Sequence, residues 1–169
     1  MTIAIGETVP SATFRYVPYD PELDSLDVCT SPTTYSTDQW AGKKVLVVAA
    51  PGAFTGTCHQ DHIPPFVANY DQFKAKGVDI VAVLTANDAW VMNAWGKTLG
   101  FKDRIIGLSD PGAEWSKQLG YGKDLSGVGM GWRTGRWYIL LDDLKVVATE
   151  GETKSGVSVS GADNVLSKL

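Results

Sequence analysis

The sequence predicts an α/β fold in which a mixed central sheet is flanked by helices. Two apolar segments, 45–50 and 78–84, show almost no alternation of apolar and polar residues, which is typical of parallel strands buried on both faces. Between them, residues 57–76 are long enough to form the crossover helix that parallel strands require. A third observation is a pair of apolar segments near the end of the chain, 137–141 and 145–148, which indicates a tight antiparallel hairpin.

Helix caps, glycine stops and short apolar runs predict the remaining elements. Pro64 and Pro65 are expected to kink the crossover helix or to delay its regular part. The other predictions are loop and edge structure before residue 37, a helix from the N-cap Asn87 to Gly100, a strand at 105–108, a helix from Asp110-Pro111 to Gly120, and a last helix at 161–169. Because an antiparallel hairpin and a helix follow three βα units, we expect a thioredoxin-like fold and not a doubly wound sheet. Residues 1–169 are expected to form a single domain.

Composition and charge exclude several classes of function. The chain has 169 residues, of which 44% are hydrophobic and 20% charged, as is usual for soluble globular proteins. A net charge of −4 and the lack of a basic run argue against a nucleic-acid partner. The longest apolar run is far shorter than the roughly 18 residues of a spanning helix, and the start of the chain lacks a secretory signal pattern. No membrane association is therefore predicted.

Cys58 is the residue whose position most clearly suggests chemistry. The segment Pro51–Cys58 follows the first buried strand and enters a helix, which is where open α/β sheets place their sites. A cysteine in the first turn of a helix is exposed to unpaired N–H groups, which stabilise the nucleophilic thiolate. Position alone leaves open the alternative of a buried, inert cysteine that packs as a small hydrophobic residue.

Other reactive groups near Cys58 fit poorly with known sites. His59 and His62 suggest a metal site or a thiol protease, but the sequence lacks a full set of zinc ligands and an evident residue to orient the histidine. The glycine-rich segment 127–131 resembles a phosphate loop, yet it precedes a strand and does not lead into a helix. We therefore expect neither a metal nor a cofactor.

Several motifs together give the chain a specific resemblance. The sequence PGAFTGTC at 51–58 is followed by His62-Ile-Pro64, by Asn87-Asp88-Ala89 and by GRWYILLD at 135–142. In this combination the chain resembles, over nearly its whole length, a peroxiredoxin of the type-5, alkyl hydroperoxide reductase class. The likeness is greatest to fungal members, some of which are peroxisomal.

The resemblance implies roles for four residues of the predicted site. Cys58 matches the peroxidatic cysteine, Thr55 the threonine that hydrogen-bonds peroxide, and Pro51 the proline that shields the thiolate. Arg136 matches the arginine that stabilises charge, because it directly precedes the strand residues Trp137-Tyr138 as the family pattern requires, whereas Arg133 does not. These residue types suit a thiolate that attacks an O–O bond while donors stabilise the oxygens.

Cys29 resembles the resolving cysteine of the fungal group, which attacks the sulfenic acid of Cys58 in the partner subunit. The alternative is a reduced, idle thiol, because its loop carries no strong motif. The C-terminal cysteine of animal relatives is missing, and Val159 occupies that place. Gly56 stands where the family usually has proline, which could loosen the turn of the site.

The resemblance implies a homodimeric thiol peroxidase that reduces hydrogen peroxide and alkyl hydroperoxides without a cofactor. Cys58 would be recycled through a disulfide with Cys29 and a thioredoxin-type reductant. Alternatives are a one-cysteine peroxidase recycled by glutathione or glutaredoxin, and a redox sensor or relay. The closing residues Ser167-Lys168-Leu169 form a tripeptide that directs proteins to peroxisomes when the carboxylate is free, so a peroxisomal or cytoplasmic location is expected.

Overall fold

A computed structural model describes residues 1–169. Seven strands form the main sheet in the order β2-β1-β5-β4-β3-β8-β9, and β6 and β7 form a separate two-stranded sheet. The strands are β1 (Thr13–Tyr16), β2 (Thr33–Ser36), β3 (Lys44–Ala49), β4 (Ile80–Thr85), β5 (Ile105–Ser109), β6 (Gly122–Leu125), β7 (Gly131–Thr134), β8 (Trp137–Asp142) and β9 (Lys145–Gly151). The α-helices are α1 (Pro64–Ala68), α2 (Tyr70–Ala75), α3 (Ala89–Leu99), α4 (Glu114–Gln118) and α5 (Ala162–Ser167).

The centre of the main sheet confirms the predicted mixed topology. Val47 in β3 pairs with Ala82 in the parallel strand β4 and with Ile139 in the antiparallel strand β8. Strands β8 and β9 form the predicted hairpin. Because Ala49 pairs with Trp137, the residue before β8 lies at the carboxyl end of β3.

Both faces of the sheet are buried, which explains the lack of alternation in β3 and β4. One face packs against α1, α2, α3 and α5 through residues that include Phe66, Phe73, Trp95 and Val165. The opposite face is filled largely by aromatic side chains, among which Trp115 of α4 lies between Trp40 and Trp137. Cys58 belongs to the first of these two apolar layers.

The crossover predicted at 57–76 is helical and irregular, as the prolines indicated, but it consists of three short helices. The chain forms a π-helix at Cys58–His62, and α1 and α2 follow as two short helices. The N–H of Ile63 reaches back five residues to the Cys58 carbonyl, at 3.2 Å. Pro64 and Pro65 have no N–H with which to continue an α-helical ladder from the preceding turn. The prolines therefore divide the crossover where the prediction expected a kink or a delay.

Smaller differences concern caps and polar hairpins. Asp88, and not Asn87, caps α3, because its Oδ1 accepts from the N–H groups of Trp90 and Val91. The helix predicted after Asp110 begins with a 3-10 turn at Pro111–Ala113 before α4. The hairpin of β6 and β7 was not predicted, because each of its strands contains only one large apolar residue, Leu125 and Trp132. No helix has the length and apolar character needed to cross a membrane.

Candidate active site

Cys58 lies at the start of the π-helix and is 2% exposed. Its Sγ accepts a hydrogen bond from Nη2 of Arg136 at 3.4 Å. Arg136 directly precedes β8, so the pairing of β8 with β3 brings its guanidinium to the loop that follows β3. A permanent positive charge therefore lies against the atom that would carry the negative charge of a thiolate.

The guanidinium of Arg136 also has a second donor nitrogen that is free to bind a ligand. Its Nη1 is buried and has no hydrogen-bond partner within the protein. An unpaired donor in a buried position is costly, and it favours a ligand oxygen that can accept from it. The two nitrogens of one rigid fork can thus serve the sulfur and an incoming oxygen at the same time.

The neighbouring Arg133 has a different task. Its Nη1 donates to the Pro51 carbonyl at 3.3 Å and to Oδ1 of Asn87 at 3.2 Å. The same Asn87 oxygen accepts from the N–H of Ala53 at 2.9 Å and from the hydroxyl of Thr85 at 3.0 Å. Arg133 and Asn87 therefore fix the backbone of the Pro51–Cys58 loop, while Arg136 contacts the sulfur.

Thr55 faces the interior of this loop. Its hydroxyl donates to the Gly52 carbonyl at 2.8 Å. Since a hydroxyl has one donor hydrogen and two lone pairs, Oγ1 keeps the capacity to accept from an O–H group of a bound molecule. Phe54 has the left-handed φ of 57°, which lets the loop turn sharply directly before Thr55.

The two histidines of the π-helix are structural partners of different segments. His59 accepts at Nδ1 from the indole N–H of Trp95 at 2.9 Å, and its ring stacks on Phe54. His62 is fully buried, and its Nε2 donates to the Ser160 carbonyl at 3.1 Å, which leaves Nδ1 without a partner. Burial, reinforced by the charge of Arg136, lowers the pKa of His62 from 6.5 to about 4. The ring is therefore neutral at physiological pH.

The loop after β9 connects His62 to Arg136. Ser160 donates to Oε1 of Glu152 from both its N–H and its hydroxyl, at 2.9 and 2.8 Å. The Glu152 N–H in turn donates to the Arg136 carbonyl at 2.8 Å. Burial alone would raise the pKa of Glu152, but the hydrogen bonds from Ser158 and Ser160 lower it to about 2. Sequence reasoning missed this connection, for which the only signal was an acidic residue followed by closely spaced serines.

The structure does not bring Cys29 to Cys58. Both cysteines are free, and Cys29 is exposed in the loop before β2. That loop is tied to α3 because Nζ of Lys97 donates to the carbonyls of Ser25 and Val28, at 2.7 and 2.9 Å. A bond between the two sulfurs therefore requires a second chain or a movement of the loop.

Of the five predicted site residues, two are in direct contact: Arg136 and Cys58 form one cluster at the carboxyl end of β3. Pro51 and Thr55 belong to the loop that joins β3 to the π-helix, and Cys29 lies in the loop before β2. The structure groups no three His, Cys, Asp or Glu side chains that could ligate a metal ion. The cluster is suited to nucleophilic attack by sulfur on a small molecule in which negative charge develops on oxygen.

Comparisons with known proteins agree with this geometry. A model of the Redoxin family matches residues 4–166. The chain is 48% identical to "Putative peroxiredoxin" of Malassezia furfur, over 98% of this chain and 99% of the relative, and 43% identical to "Putative peroxisomal peroxiredoxin" of Lipomyces kononenkoae, over 92% and 94%. The crystal structure of reduced Prx3 from Vibrio vulnificus in complex with hydrogen peroxide has a TM-score of 0.86 and 35% identity, and the match covers 98% of this chain and 95% of that one.

Proposed function

Because the chain belongs to the Redoxin family and is a peroxiredoxin, an enzyme that reduces peroxides, we propose that Cys58 is the residue that attacks the peroxide. The 3.4 Å contact between Arg136 Nη2 and Cys58 Sγ carries this proposal, because it places a permanent positive charge against the sulfur, while Nη1 of the same guanidinium has no partner. The bound hydrogen peroxide of the Vibrio protein adds support for this substrate class.

The first step is an in-line displacement. The Cys58 thiolate attacks one peroxide oxygen, the S–O bond forms and the O–O bond breaks. Sulfur loses two electrons and becomes sulfenic acid, while the other oxygen leaves and takes up a proton as water or an alcohol. Nη1 of Arg136 donates to the oxygen on which charge develops, and Thr55 orients the peroxide by accepting its O–H. Pro51 shields the sulfur from water.

The second step uses Cys29 of another copy of the chain. Its thiol attacks the Cys58 sulfenic acid, so an S–S bond forms and water leaves. A dithiol reductant of the thioredoxin type then restores both thiols by exchange. The exposure of Cys29 supports this role, because an accessible thiol can meet a partner and later a reductant.

A non-reducing gel after one equivalent of peroxide tests the second step. A covalent dimer that disappears in Cys29→Ser supports the two-cysteine cycle. Monomer from both proteins, with sulfenic acid trapped at Cys58, favours direct recycling by glutathione or glutaredoxin. Peroxide consumption measured side by side with thioredoxin and glutathione systems then identifies the reductant. Slow turnover with both reducing systems would instead favour a sensor or relay.

We also propose that a second copy docks on the face that surrounds Cys58. Two exposed apolar side chains emerge from segments that a hydrogen bond from Ala53 to Asn87 joins there: Phe54 in the loop and Trp90 in the first turn of α3. Phe54 and Trp90 are 51% and 53% exposed, which is unusual for large aromatic residues in a chain that folds alone. A homodimer through this face would cover them.

The peroxisomal relative supports a peroxisomal address for this chain. Ser167-Lys168-Leu169 is of the required type, and its free carboxylate would be the recognised group. Leu169 packs partly against the core, so recognition requires the last turn to detach. A fluorescent protein fused ahead of the chain should mark peroxisomes, and removal of Leu169 should disperse the signal. Cytosolic signal from the intact fusion would refute the peroxisomal address but would leave the proposed chemistry unaffected.

A further inference from the structure

A cavity of about 280 Å³ lies beside the loop that carries Cys29. Residues of the segment 16–30, of α3 and of the segment 101–107 enclose it. Met92, Phe101 and Ile105 give it an apolar portion and belong to the buried core. Its volume is close to the lower end of the roughly 300–1,000 Å³ that small-molecule sites enclose. The cavity therefore has a size and a mixed lining that suit a small molecule.

Cys29 lies at the edge of this cavity, because both of its neighbours in the sequence are tied to the lining. Thr30 is itself a lining residue. On the other side, the Val28 carbonyl accepts a hydrogen bond at 2.9 Å from Nζ of Lys97, which also lines the cavity. Cys29 is exposed, so its thiol is available to a molecule held there. The cavity shares no residue with the cluster around Cys58.

One part of the lining is electronegative. Asp20, Asp24 and Asp103 line the cavity, and none of their carboxylates forms an ion pair within the chain. Desolvation, followed by the charges of these three carboxylates, raises the pKa of Tyr19, which is also a lining residue. The three negative charges therefore act on one region, and this region favours a cation.

Positive charges line the cavity as well. Neither Lys97 nor Lys102 forms an ion pair within the chain. Nζ of Lys97 donates to two acceptors, the carbonyls of Ser25 and Val28, and an ammonium group has three donor hydrogens. One donor therefore remains for a ligand, on the side of the cavity that adjoins Cys29. Unpaired charges of both signs around one cavity favour a zwitterionic ligand.

We propose that this cavity binds a short zwitterionic peptide thiol, which reduces the disulfide at Cys29. The ammonium of the ligand lies beside the aspartates, and a carboxylate lies beside Lys97 or Lys102. The proposal rests on the disulfide of the proposed function and adds a small thiol to the reductants that act on it. Binding at the edge where Cys29 lies holds the two reacting sulfurs together, which speeds an otherwise bimolecular exchange.

The reduction consists of two exchanges. The thiolate of the bound peptide attacks the Cys29 sulfur, so a new S–S bond forms while the bond between Cys29 and Cys58 breaks. The electron pair leaves with the Cys58 sulfur as a thiolate. A second peptide thiolate attacks the sulfur of the bound peptide, and Cys29 leaves as a thiolate that takes a proton from water. Two peptide thiols thus become one peptide disulfide, and the two cysteines gain two electrons.

Binding of S-methylglutathione tests the cavity apart from any redox step, because this zwitterionic tripeptide carries a thioether in place of the thiol. Calorimetric titration of the reduced full-length chain should show saturable binding. Asp24→Asn combined with Asp103→Asn should weaken binding roughly ten-fold, the effect of losing about one charge-assisted hydrogen bond. The matched control combines Asp71→Asn with Asp163→Asn, which removes two exposed carboxylates from α2 and α5 and should leave binding unchanged.

Reduction of the disulfide between Cys58 and Cys29 gives a second measurement. The rate with glutathione should saturate as its concentration rises, whereas the rate with mercaptoethanol, which carries no charge, should rise linearly. Asp24→Asn combined with Asp103→Asn should raise the half-saturating glutathione concentration roughly ten-fold.

No saturable binding of S-methylglutathione at millimolar concentration would overturn the proposal, as would an equal loss of binding in the control variant. If peroxide produces the covalent dimer and S-methylglutathione does not bind, the cavity proposal fails and the proposed function stands. If S-methylglutathione binds as expected and peroxide produces no disulfide, the role proposed for Cys29 fails and the cavity remains a peptide site.

Discussion

At the scale of the residue, two arginines three positions apart show how topology separates similar side chains. Arg133 belongs to β7 and bonds to the loop backbone and Asn87, whereas Arg136 precedes β8 and reaches the sulfur. The sequence favoured Arg136 only through the resemblance, since charge and spacing alone do not distinguish the two. Strand pairing, which depends on contacts distant in sequence, decides which of them faces the site.

Replacing Arg136 by lysine should lower the rate of Cys58 oxidation by roughly 10²-fold or more, comparable to the loss of one preorganised donor. Lysine keeps the charge but not the planar fork that serves two acceptors at once. Stopped-flow measurement of the first turnover gives the rate. Arg133→Lys is the control, and a loss in Arg136→Lys no greater than in that control would contradict the assignment.

Buried His62 should make the protein less stable in mild acid. Its pKa is about 4 in the folded protein and 6.5 as an ordinary value, so between these pH values the unfolded state binds more protons. Stability is therefore complete above pH 6.5 and is lost as the pH falls towards 4. From pH 7 to pH 5 the free energy of unfolding should fall by about 2 kcal/mol on account of this residue.

Urea unfolding of the parent and of His62→Gln at both pH values measures this contribution. The variant should lose less stability than the parent over the same interval, because it has no imidazole to protonate. The carboxyl of Glu152 titrates in a lower range and so contributes little above pH 5. Equal losses in both proteins would show that His62 is not the group responsible.

At the scale of the element, the crossover between β3 and β4 shows what local patterns predict and what they miss. The apolar runs predicted both strands, and the prolines predicted an irregular helix. The π-helix at 58–62 could not be predicted, since its hydrogen bonds depend on tertiary ties such as His62 to Ser160 and His59 to Trp95. Such π-turns frequently occur at functional sites.

Gly56→Pro should stabilise the site loop by about 0.4–1 kcal/mol, because proline restricts the unfolded chain. The Gly56 N–H donates no hydrogen bond, and a Cβ at this position would meet no atom within 4 Å. Urea unfolding provides the measurement. Gly120→Ala is the contrast, because its φ is +82° and a Cβ there would lie 2.6 Å from the Met1 carbonyl oxygen. Destabilisation by Gly56→Pro would mean that the turn needs glycine.

At the scale of the whole molecule, the central strands of the sheet were predictable, but the position of its edge strands β1 and β2 was not. Unbroken apolar runs predict the parallel strands, and two apolar segments joined by a tight turn predict the final hairpin. The order in which β1 and β2 extend the sheet beside β5 depends on long-range pairing of short, half-exposed strands. In the site, Cys58 was predictable from its strand-to-helix position. The hydrogen bond between His62 and Ser160 was not, because the two residues lie 98 positions apart in the sequence.

The face around Cys58 should carry the homodimer. Phe54→Asp and Trp90→Asp should shift the protein towards monomer in sedimentation velocity runs at micromolar concentration, because each places a charge in an apolar interface. Ile5→Asp is the matched control, since Ile5 is 70% exposed but emerges from the N-terminal segment. Dissociation by Ile5→Asp, with none by the other two variants, would place the interface elsewhere.

Peroxide consumption by Cys58→Ser tests the central claim most directly. Serine fits the buried site and can accept from Arg136, so the fold should persist, as circular dichroism and urea unfolding can verify. With a thioredoxin system present, we expect Cys58→Ser to consume no hydrogen peroxide above background. Cys29→Ser should still consume one hydrogen peroxide per chain, because its Cys58 can be oxidised once. Consumption by folded Cys58→Ser at the rate of the parent would contradict the claim that this sulfur attacks the peroxide.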